Sequence, residues 1–224
     1  MTARADAADF ALLADLPASV RDGLWAQVRD VKFSRGEIVI EQGDEGDDVY
    51  FLRSGALVGV LLSEEGKEIA FSDFRPGAFF GELAALDSGT RSITISAVEP
   101  SVLGRLSGAA FRDWLMRSPE LSCALARELG RRQRLMIERV YALVVHDVDK
   151  RVRLALTRLA QSAGQFENGG TIAPAPTHSA IAAHVGANRE AVTRVMARLA
   201  RAGVLETGRQ RITFHDVDAL TDGL

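Results

Sequence analysis

Apolar residues follow different periods in successive parts of the chain. Between residues 6 and 29 they recur at helical spacing, which predicts one or two short helices packed as a lid on the next segment of the chain. From 31 to 106 the pattern changes to short β-like runs separated by clusters of Gly, Asp and Glu. Turns recur there about every 8–12 residues, which is typical of an antiparallel roll or sandwich.

A longer helix is predicted after a short amphipathic segment that ends near Ser118 and Pro119. The chain then continues to Val145 with Gly130 as its one glycine and with no proline. Apolar residues fall on one stripe of this segment: Leu125, Leu129, Met136, Val140 and Leu143. Such a stripe fits either a core helix packed on its own β domain or a dimer seam backed by other contacts.

The C-terminal third has the pattern of a helix–turn–helix. After an expected hinge at Val145–Asp147, a helix is predicted from Val148 to about Ala160. Thr177 can cap a second helix, Gly186 breaks it, and Asn188 can cap a third. The third helix has an apolar stripe formed by Val192, Val195 and Leu199. Residues 205–214, with a turn at 207–210, are expected to form a two-stranded wing.

Composition narrows the class of protein. The chain has 224 residues, 47% of them hydrophobic and 25% charged, which is ordinary for a globular protein. No apolar run approaches the roughly 20 residues of a membrane span, and residues 1–10 lack the apolar stretch of a secretory signal, so a cytoplasmic location is expected. Cys123 is the single cysteine, which excludes an intrachain disulfide and a cysteine-rich metal cluster.

Charge is distributed unevenly along the chain. The formal net charge is −3, so the protein as a whole is not a basic nucleic-acid binder. Residues 147–224 carry 10 Lys and Arg against 8 Asp and Glu, a net of +2, which leaves −5 for residues 1–146. The C-terminal part is therefore the candidate for contact with nucleic acid.

The segment from Phe79 to Ile93 combines the groups that hold one phosphate beside a sugar. Gly81 permits close approach of backbone N–H groups, while Arg91 and Ser92 supply a charged fork and a hydroxyl donor. A carboxylate repels phosphate, so Glu82 is expected to accept a hydrogen bond from a sugar hydroxyl instead. The pattern indicates a cyclic mononucleotide site, and the alternative is a surface hairpin that merely carries Glu and Arg.

This cassette resembles the phosphate-binding cassette of the Crp/Fnr family of transcription regulators, in particular those of the catabolite-activator type. The resemblance runs almost gap-free from Glu41 through the cassette. It implies an α+β fold with an N-terminal cyclic-nucleotide-binding β-roll, a long dimerisation helix and a C-terminal winged helix–turn–helix. The expected domains are residues 1–117, 118–146 and 147–224.

The resemblance also assigns nucleotide-binding residues. They are Phe71, Phe80, Gly81, Glu82, Leu83, Arg91, Ser92, Arg132, Met136 and Ile137. Counted back from Asp147, Arg132 matches a family arginine that faces the pocket. Met136 and Ile137 replace a Thr-Ser pair that reads adenine in the catabolite-activator type, and neither side chain can form those hydrogen bonds. The effector expected first is cAMP, with cGMP as the alternative.

The third helix resembles the recognition helix of the same family. Arg189, Glu190 and Arg194 match its three base-reading positions, which implies a palindromic operator with TGTGA-like half-sites. Arg can donate hydrogen bonds to guanine, and Glu can accept a hydrogen bond from cytosine. The alternative is an ordinary surface helix of mixed charge. The expected DNA-binding set is Thr177, Ser179, Asn188, Arg189, Glu190, Thr193, Arg194 and, in the wing, Arg209. The family implies a homodimer and RNA polymerase as a partner.

Two other classes of function compete with this one. A ligand-independent regulator whose β-roll is only a dimer scaffold would explain Met136 and Ile137. A phosphodiesterase would need His and Asp grouped around metal ions, but the four histidines are dispersed. His146 at the hinge has no second ligand in view for metal or haem, and His178, His184 and His215 are interpreted as structural. No catalytic residue, metal site, catalytic cofactor or membrane partner is therefore expected.

Overall fold

The computed structural model describes residues 4–62, 68–222 and 224, with the side chains of residues 62 and 68–72 excepted. The chain divides into two compact units, residues 1–134 and residues 135–224. The first unit contains, in chain order, a 3₁₀ helix (Ala7–Asp9), α1 (Ala18–Trp25), β1 (Arg29–Phe33), β2 (Ile38–Ile40), β3 (Val49–Ser54), β4 (Leu57–Leu62), β5 (Glu68–Phe74), β6 (Phe79–Phe80), α2 (Glu82–Asp87), β7 (Thr94–Ala97), β8 (Ser101–Leu106), α3 (Gly108–Arg117) and the first part of α4 (Pro119–Val145).

The strands of the first unit form two antiparallel four-stranded sheets. One has the order β1-β8-β3-β6 and the other β2-β7-β4-β5. Pairing within each sheet joins strands that are far apart in sequence, such as β1 with β8 and β2 with β7. The two sheets and their helices confirm the α+β class and the β-rich N-terminal half that the turn spacing predicts.

The predicted helical lid packs on the first sheet through aromatic rings. Phe10 meets Phe51 of β3 edge-to-face, with ring centroids 5.2 Å apart, and Trp25 meets the same ring at 5.6 Å. Phe10 and Phe51 are fully buried. Aromatic pairs in this geometry add about 0.5–1.5 kcal/mol beyond their buried area. The lid is therefore part of the core of the first unit.

Helix α4 contributes differently to the two units. Leu121 and Leu125 are buried in the core of the first unit, and Leu129 packs against it. Of the two alternatives that the stripe allows, Leu125 and Leu129 fit the core helix, because both pack on their own unit. In the second unit, Val140 and Val144 of the same helix are 51% and 80% exposed. That part of the helix leaves apolar surface uncovered.

The second unit is a small helical domain with a three-stranded sheet. After the end of α4 it contains α5 (Val148–Ser162), β9 (Thr171–Ile172), α6 (His178–Val185), α7 (Arg189–Arg201), β10 (Leu205–Gly208), β11 (Arg211–Phe214) and α8 (Val217–Thr221). The sheet order is β10-β11-β9. The wing predicted with two strands thus gains β9, which has only two residues and carries little sequence signal.

The predicted caps and turn of the helix–turn–helix are present. Asp147, Thr177 and Asn188 cap α5, α6 and α7 by accepting a hydrogen bond from the backbone N–H three residues later. Gly186 ends α6 in the left-handed conformation, with φ at 62°. Val192 lies in the buried face of α7, as its period predicts.

The end of α4 packs within the second unit. A Cβ at Gly186 would lie 2.6 Å from Cδ2 of Leu143, and Arg151 donates to the carbonyl oxygens of both residues at 3.4 and 3.1 Å. The compact units consequently divide between residues 134 and 135, not at the hinge expected at Val145–Asp147. The three domain boundaries remain a prediction. No helix among the described residues is long and apolar enough to cross a membrane.

Candidate functional site

A tight turn built around Gly81 opens the cassette of the first unit. Strand β6 ends at Phe80 and α2 begins at Glu82, so Gly81 alone joins them, with φ at 89°. A Cβ at this position would lie 2.5 Å from the carbonyl oxygen of Asp48 and 2.8 Å from Nη1 of Arg91. The turn therefore requires glycine both for its conformation and for its close approach to Arg91.

Arg91 is buried beneath this turn. The residue is 5% exposed, and the guanidinium donates from Nη1 to the carbonyl oxygen of Gly81 at 3.1 Å and from Nη2 to that of Asp48 at 2.9 Å. Its backbone is held to the preceding loop through Asp44 and Gly43. No carboxylate pairs with this guanidinium within the part of the chain that the structure describes. A buried cation without a counter-ion favours an anionic ligand.

Glu82 and Arg132 form an ion pair between α2 and α4. Nη1 of Arg132 donates to Oε1 of Glu82 at 2.9 Å, and Nη2 donates to the carbonyl oxygen of Phe79 at 3.0 Å. The guanidinium also lies 4.4 Å from the centroid of the Phe79 ring. Nε donates to Glu128 at 2.8 Å. Arg132 thus ties the start of α2 to the middle of α4, next to the cassette that the sequence predicts it to face.

The two carboxyl groups of this network have opposite pKa shifts. Burial raises the pKa of Glu82, and the nearby Arg132 charge only partly offsets that effect. Hydrogen bonds from Arg131, and more weakly from Arg132, hold the pKa of Glu128 below its usual value. Glu82 is therefore the group whose ionisation depends most on keeping Arg132 in place.

The remaining predicted nucleotide residues fall in different environments. Phe80 is buried between Tyr50 and Phe74, with ring centroids at 5.5 and 5.0 Å, so its side chain belongs to the core. Leu83 is 48% exposed, and Ser92 is also exposed. The side chain of Phe71 lies outside the described residues. Met136 and Ile137 belong to the second unit, where Met136 is half-buried and Ile137 exposed.

The sequence analysis did not identify two residues that contact the cassette, Asp48 and Glu128. Asp48 contributes only its carbonyl oxygen to Arg91, and a backbone contact leaves no mark on residue type. Glu128 lies four residues before Arg132 on α4, which is the spacing of a helical ion pair. That second signal was available and would have placed Glu128 beside the predicted site.

Helix α7, which the sequence predicts to be the recognition helix, presents three charged side chains to solvent. Arg189, Glu190 and Arg194 are all exposed. None of the three forms an ion pair within residues 4–62, 68–222 and 224. Their side chains are therefore available to an external partner. The three lie within six residues at the N-terminal end of α7, where side chains of a recognition helix reach base edges.

The other predicted DNA residues are mostly exposed at helix starts and at the wing. Thr177 and Asn188 use their side-chain oxygens as helix caps, accepting at 3.1 and 2.8 Å. Ser179 is exposed on α6, and Arg209 is exposed in the turn between β10 and β11. A contact of the exposed Arg209 guanidinium with a DNA phosphate, which would orient the protein without reading sequence, stays a prediction.

Thr193 is held by two hydrogen bonds inside the second unit. Its Oγ1 donates to the carbonyl oxygen of Arg189 at 2.9 Å and lies 3.0 Å from Nδ1 of His178. His178, the first residue of α6, is therefore attached to helix α7. Sequence reasoning treated this histidine as structural because nothing in a stretch of 15 residues links the two positions.

No group of three or more His, Cys, Asp or Glu side chains is arranged to hold a metal ion among the described residues.

Two family models match the chain, one within each compact unit. Residues 30–118 match the cyclic nucleotide-binding domain, and residues 150–222 match the Crp-like helix-turn-helix domain. The chain belongs to the Crp/Fnr family of transcription regulators. It is thus a DNA-binding regulator with a cyclic-nucleotide-binding domain, in a family of regulators and not of enzymes.

Individual relatives agree with this assignment. The CRP-like cAMP-activated global transcriptional regulator of Mycobacterium tuberculosis is 31% identical over 88% of each chain. A solved CRP/FNR-family regulator from Thermus thermophilus is 29% identical, with a TM-score of 0.67 over 87% of this chain and 97% of that one. The catabolite activator protein of Thermus thermophilus is 28% identical, with a TM-score of 0.56 over 94% and 96%.

Proposed function

We propose that this Crp/Fnr-family chain is a cyclic-nucleotide-responsive homodimer that binds palindromic DNA with TGTGA-like half-sites. The observation that carries the proposal is the buried guanidinium of Arg91, which has no carboxylate partner among the described residues. A nucleotide phosphate supplies the missing negative charge. The exposed hydroxyl of Ser92, the next residue, adds a second donor to the phosphate.

Glu82 and Arg132 make the site sensitive to the sugar. Oε1 of Glu82 accepts from Arg132, and the carboxylate has further lone pairs for a ribose hydroxyl. A sugar bound there shares the carboxylate with Arg132 and so changes the contact between α2 and α4. This is a physical route by which ligand binding reaches the long helix, with a coupling of roughly 1–3 kcal/mol typical of such links.

The effector expected first is cAMP. The Mycobacterium tuberculosis relative is named a cAMP-activated regulator, which supports that choice. Met136 and Ile137 have no side-chain donor with which to read the base, so cGMP is the alternative. The contribution of Met136, Ile137, Leu83 and Phe71 to the nucleotide site is part of the same proposal.

DNA binding rests on the three exposed charged side chains of α7. Arg189 and Arg194 suit guanine, and Glu190 suits the amino group of cytosine, as TGTGA requires. Successive major grooves are about 34 Å apart, so a symmetric dimer reads two half-sites. Exposed apolar residues of α4, including Val140 and Val144, support the dimer. RNA polymerase as partner and a cytoplasmic location, where the operator DNA lies, complete the proposal.

Calorimetric titration with cAMP and, separately, cGMP tests the nucleotide part. Fluorescence anisotropy of a TGTGA-containing palindromic duplex, measured with and without each nucleotide, tests the DNA part. We expect one nucleotide to bind and to tighten DNA binding at least fivefold, the lower end of typical coupling between sites. A protein that binds neither nucleotide, or whose DNA affinity ignores both, would overturn nucleotide control.

A ligand-independent regulator is the second candidate. It is favoured by the ion pair of Glu82 with Arg132, which uses the expected sugar acceptor for a contact inside the protein. In that case DNA binding would be tight without nucleotide and unchanged by mutation of Arg91. A turnover assay with cAMP and cGMP separates both candidates from a phosphodiesterase, for which we expect no hydrolysis.

A further inference from the structure

The hydroxyl of Thr193 has a single hydrogen, and its use determines the tautomer of His178. Oγ1 donates that hydrogen to the carbonyl oxygen of Arg189 at 2.9 Å. The contact between Oγ1 and Nδ1 of His178, at 3.0 Å, must then be donated by the imidazole. Nδ1 of His178 therefore carries a proton, and Thr193 has no hydrogen left to donate to a base.

These two bonds also orient the Thr193 side chain. The hydroxyl faces the preceding turn of α7 on one side and the first residue of α6 on the other. Thr193 is exposed, and the γ-methyl is the part of its side chain that forms no hydrogen bond. Thr193 lies next to Arg194 and one turn after Arg189, so its methyl belongs to the surface that we propose to enter the major groove.

We propose that His178 is a positioning residue that holds the hydroxyl of Thr193 inward, so that its methyl contacts the C5-methyl group of a thymine. The inference rests on the proposed DNA-binding function of α7. Apolar contact between a threonine methyl and the thymine methyl is a recognised form of base reading in the major groove. It adds a thymine preference to the positions read by Arg189, Glu190 and Arg194.

The test begins with sites selected by the wild-type protein from a random duplex pool, with the effector present if one is needed. Each thymine of the selected site is then replaced singly by deoxyuridine, which removes only the C5-methyl group. We expect one position per half-site to lose about fourfold in affinity, the equivalent of one buried methyl. Replacement in both half-sites should cost about 16-fold, since separated positions act additively.

Variants of Thr193 locate the contact. Thr193→Ser keeps the hydroxyl and removes the methyl, so affinity for thymine and uracil should become equal at that position. Thr193→Val has a methyl on both branches of Cβ, so one of them faces the groove without a hydrogen bond to His178, and the preference should remain. The change in affinity on deoxyuridine replacement at every other thymine serves as the internal baseline.

Variants of His178 test the positioning role. His178→Ala should lower the thymine preference toward that of Thr193→Ser, because Oγ1 keeps only its bond to Arg189 and the methyl is less firmly positioned. His178→Gln can donate from its amide to Oγ1 and should restore the preference, which a merely structural role would not predict. His215→Gln, at an exposed histidine near the wing, is the matched control and should leave the preference unchanged.

The outcomes separate this inference from the proposed function. Failure to select any DNA site overturns both. A selected site at which no uracil replacement matters overturns the inference alone. A thymine preference that survives in Thr193→Ser overturns the methyl contact, and one that survives in His178→Ala overturns the positioning role.

Discussion

Nη1 of Arg132 lies 2.9 Å from Oε1 of Glu82, although 50 residues separate them in sequence. The side chain of Glu82 is 6% exposed and that of Arg132 is 32% exposed, so the charge of Glu82 depends on a partner at the edge of solvent. The pair joins the turn that begins α2 to the helix that leaves the β domain. Its energetics can be measured separately from nucleotide binding.

Arg132→Gln should destabilise the first unit more at high pH than at low pH. Burial raises the folded-state pKa of Glu82, and loss of the Arg132 charge raises it further. A raised carboxyl pKa means that stability is greatest below the unfolded pKa and falls as pH rises through the folded pKa. We expect a loss of roughly 2 kcal/mol at pH 8 and much less at pH 5, measured by urea unfolding.

Glu82→Gln in the Arg132→Gln background provides the control for that measurement. The double variant has no carboxyl group to titrate at position 82, so its loss of stability should not grow between pH 5 and pH 8. A growing loss would assign the pH dependence to another group.

Arg91→Gln should abolish nucleotide binding while leaving the unit folded. The substitution removes the charge that we propose to face the phosphate, and charge-assisted hydrogen bonds contribute about 1.5–3 kcal/mol each. We expect at least a 100-fold loss of nucleotide affinity by calorimetry. Arg105→Gln, at an exposed arginine paired with Asp48, is the matched control and should bind normally. Equal affinity in the two variants would contradict the cassette assignment.

Gly81→Ala should damage both stability and nucleotide binding. The left-handed conformation costs a non-glycine residue about 1–2 kcal/mol, and the new Cβ would collide with the Asp48 carbonyl and with Arg91. Gly36→Ala has nearly the same positive φ, 88°, with nothing within 4 Å of its Cβ. It should show the conformational cost alone in thermal unfolding and leave nucleotide affinity intact. Intact nucleotide affinity in Gly81→Ala would argue against the site.

Arg194→Ala and Arg209→Ala should weaken DNA binding in different ways. Loss of a bidentate base contact costs about 1–3 kcal/mol and relaxes sequence preference at one base pair. Loss of a phosphate contact weakens all sequences alike and lowers the salt slope by about one. Anisotropy on single-base operator variants at several salt concentrations distinguishes them. If Arg194→Ala weakened all sequences alike and Arg209→Ala relaxed one base pair, Arg194 would be the phosphate contact and Arg209 the base contact.

Val144→Glu should shift the proposed homodimer toward monomer. Val144 is 80% exposed, and a charge placed in an apolar interface is strongly unfavourable. Sedimentation velocity should show the shift, together with weaker binding to the palindrome. Met116→Glu changes another highly exposed apolar residue, 85% accessible on α3, and should remain dimeric. Dissociation of both variants, or of neither, would contradict a seam on α4.

Local signals in the sequence predicted the turns, helix caps and buried helix faces that depend on neighbouring residues. The left-handed turn at Gly186, the caps at Thr177 and Asn188, and the buried face of α7 follow from residue type and helical period. Gly81 and Arg91 were recognisable because one short cassette contains both. Their resemblance to a family then indicated the overall α+β architecture, which the family matches confirm.

Contacts between distant segments could not be predicted from local sequence patterns. The stripe that contains Leu125 and Leu129 has the same period whether it packs on its own unit or on a partner, so sequence alone left both alternatives open. The pairing of Glu82 with Arg132 depends on how α4 crosses the β domain. The contact of His178 with Thr193 depends on how α6 packs on α7, and neither relation has a local pattern.

The guanidinium of Arg91, which has no carboxylate partner among the described residues, makes the protein sensitive to the anions of its buffer. Phosphate and sulfate ions present the same charged oxygens as a nucleotide phosphate and would compete for this group. Apparent nucleotide affinity would then fall in proportion to the occupancy of the competing ion, by mass action. Purification and titration in a buffer free of multivalent oxyanions should therefore give the true affinity, whereas crystals grown from ammonium sulfate should contain an ion in the cassette.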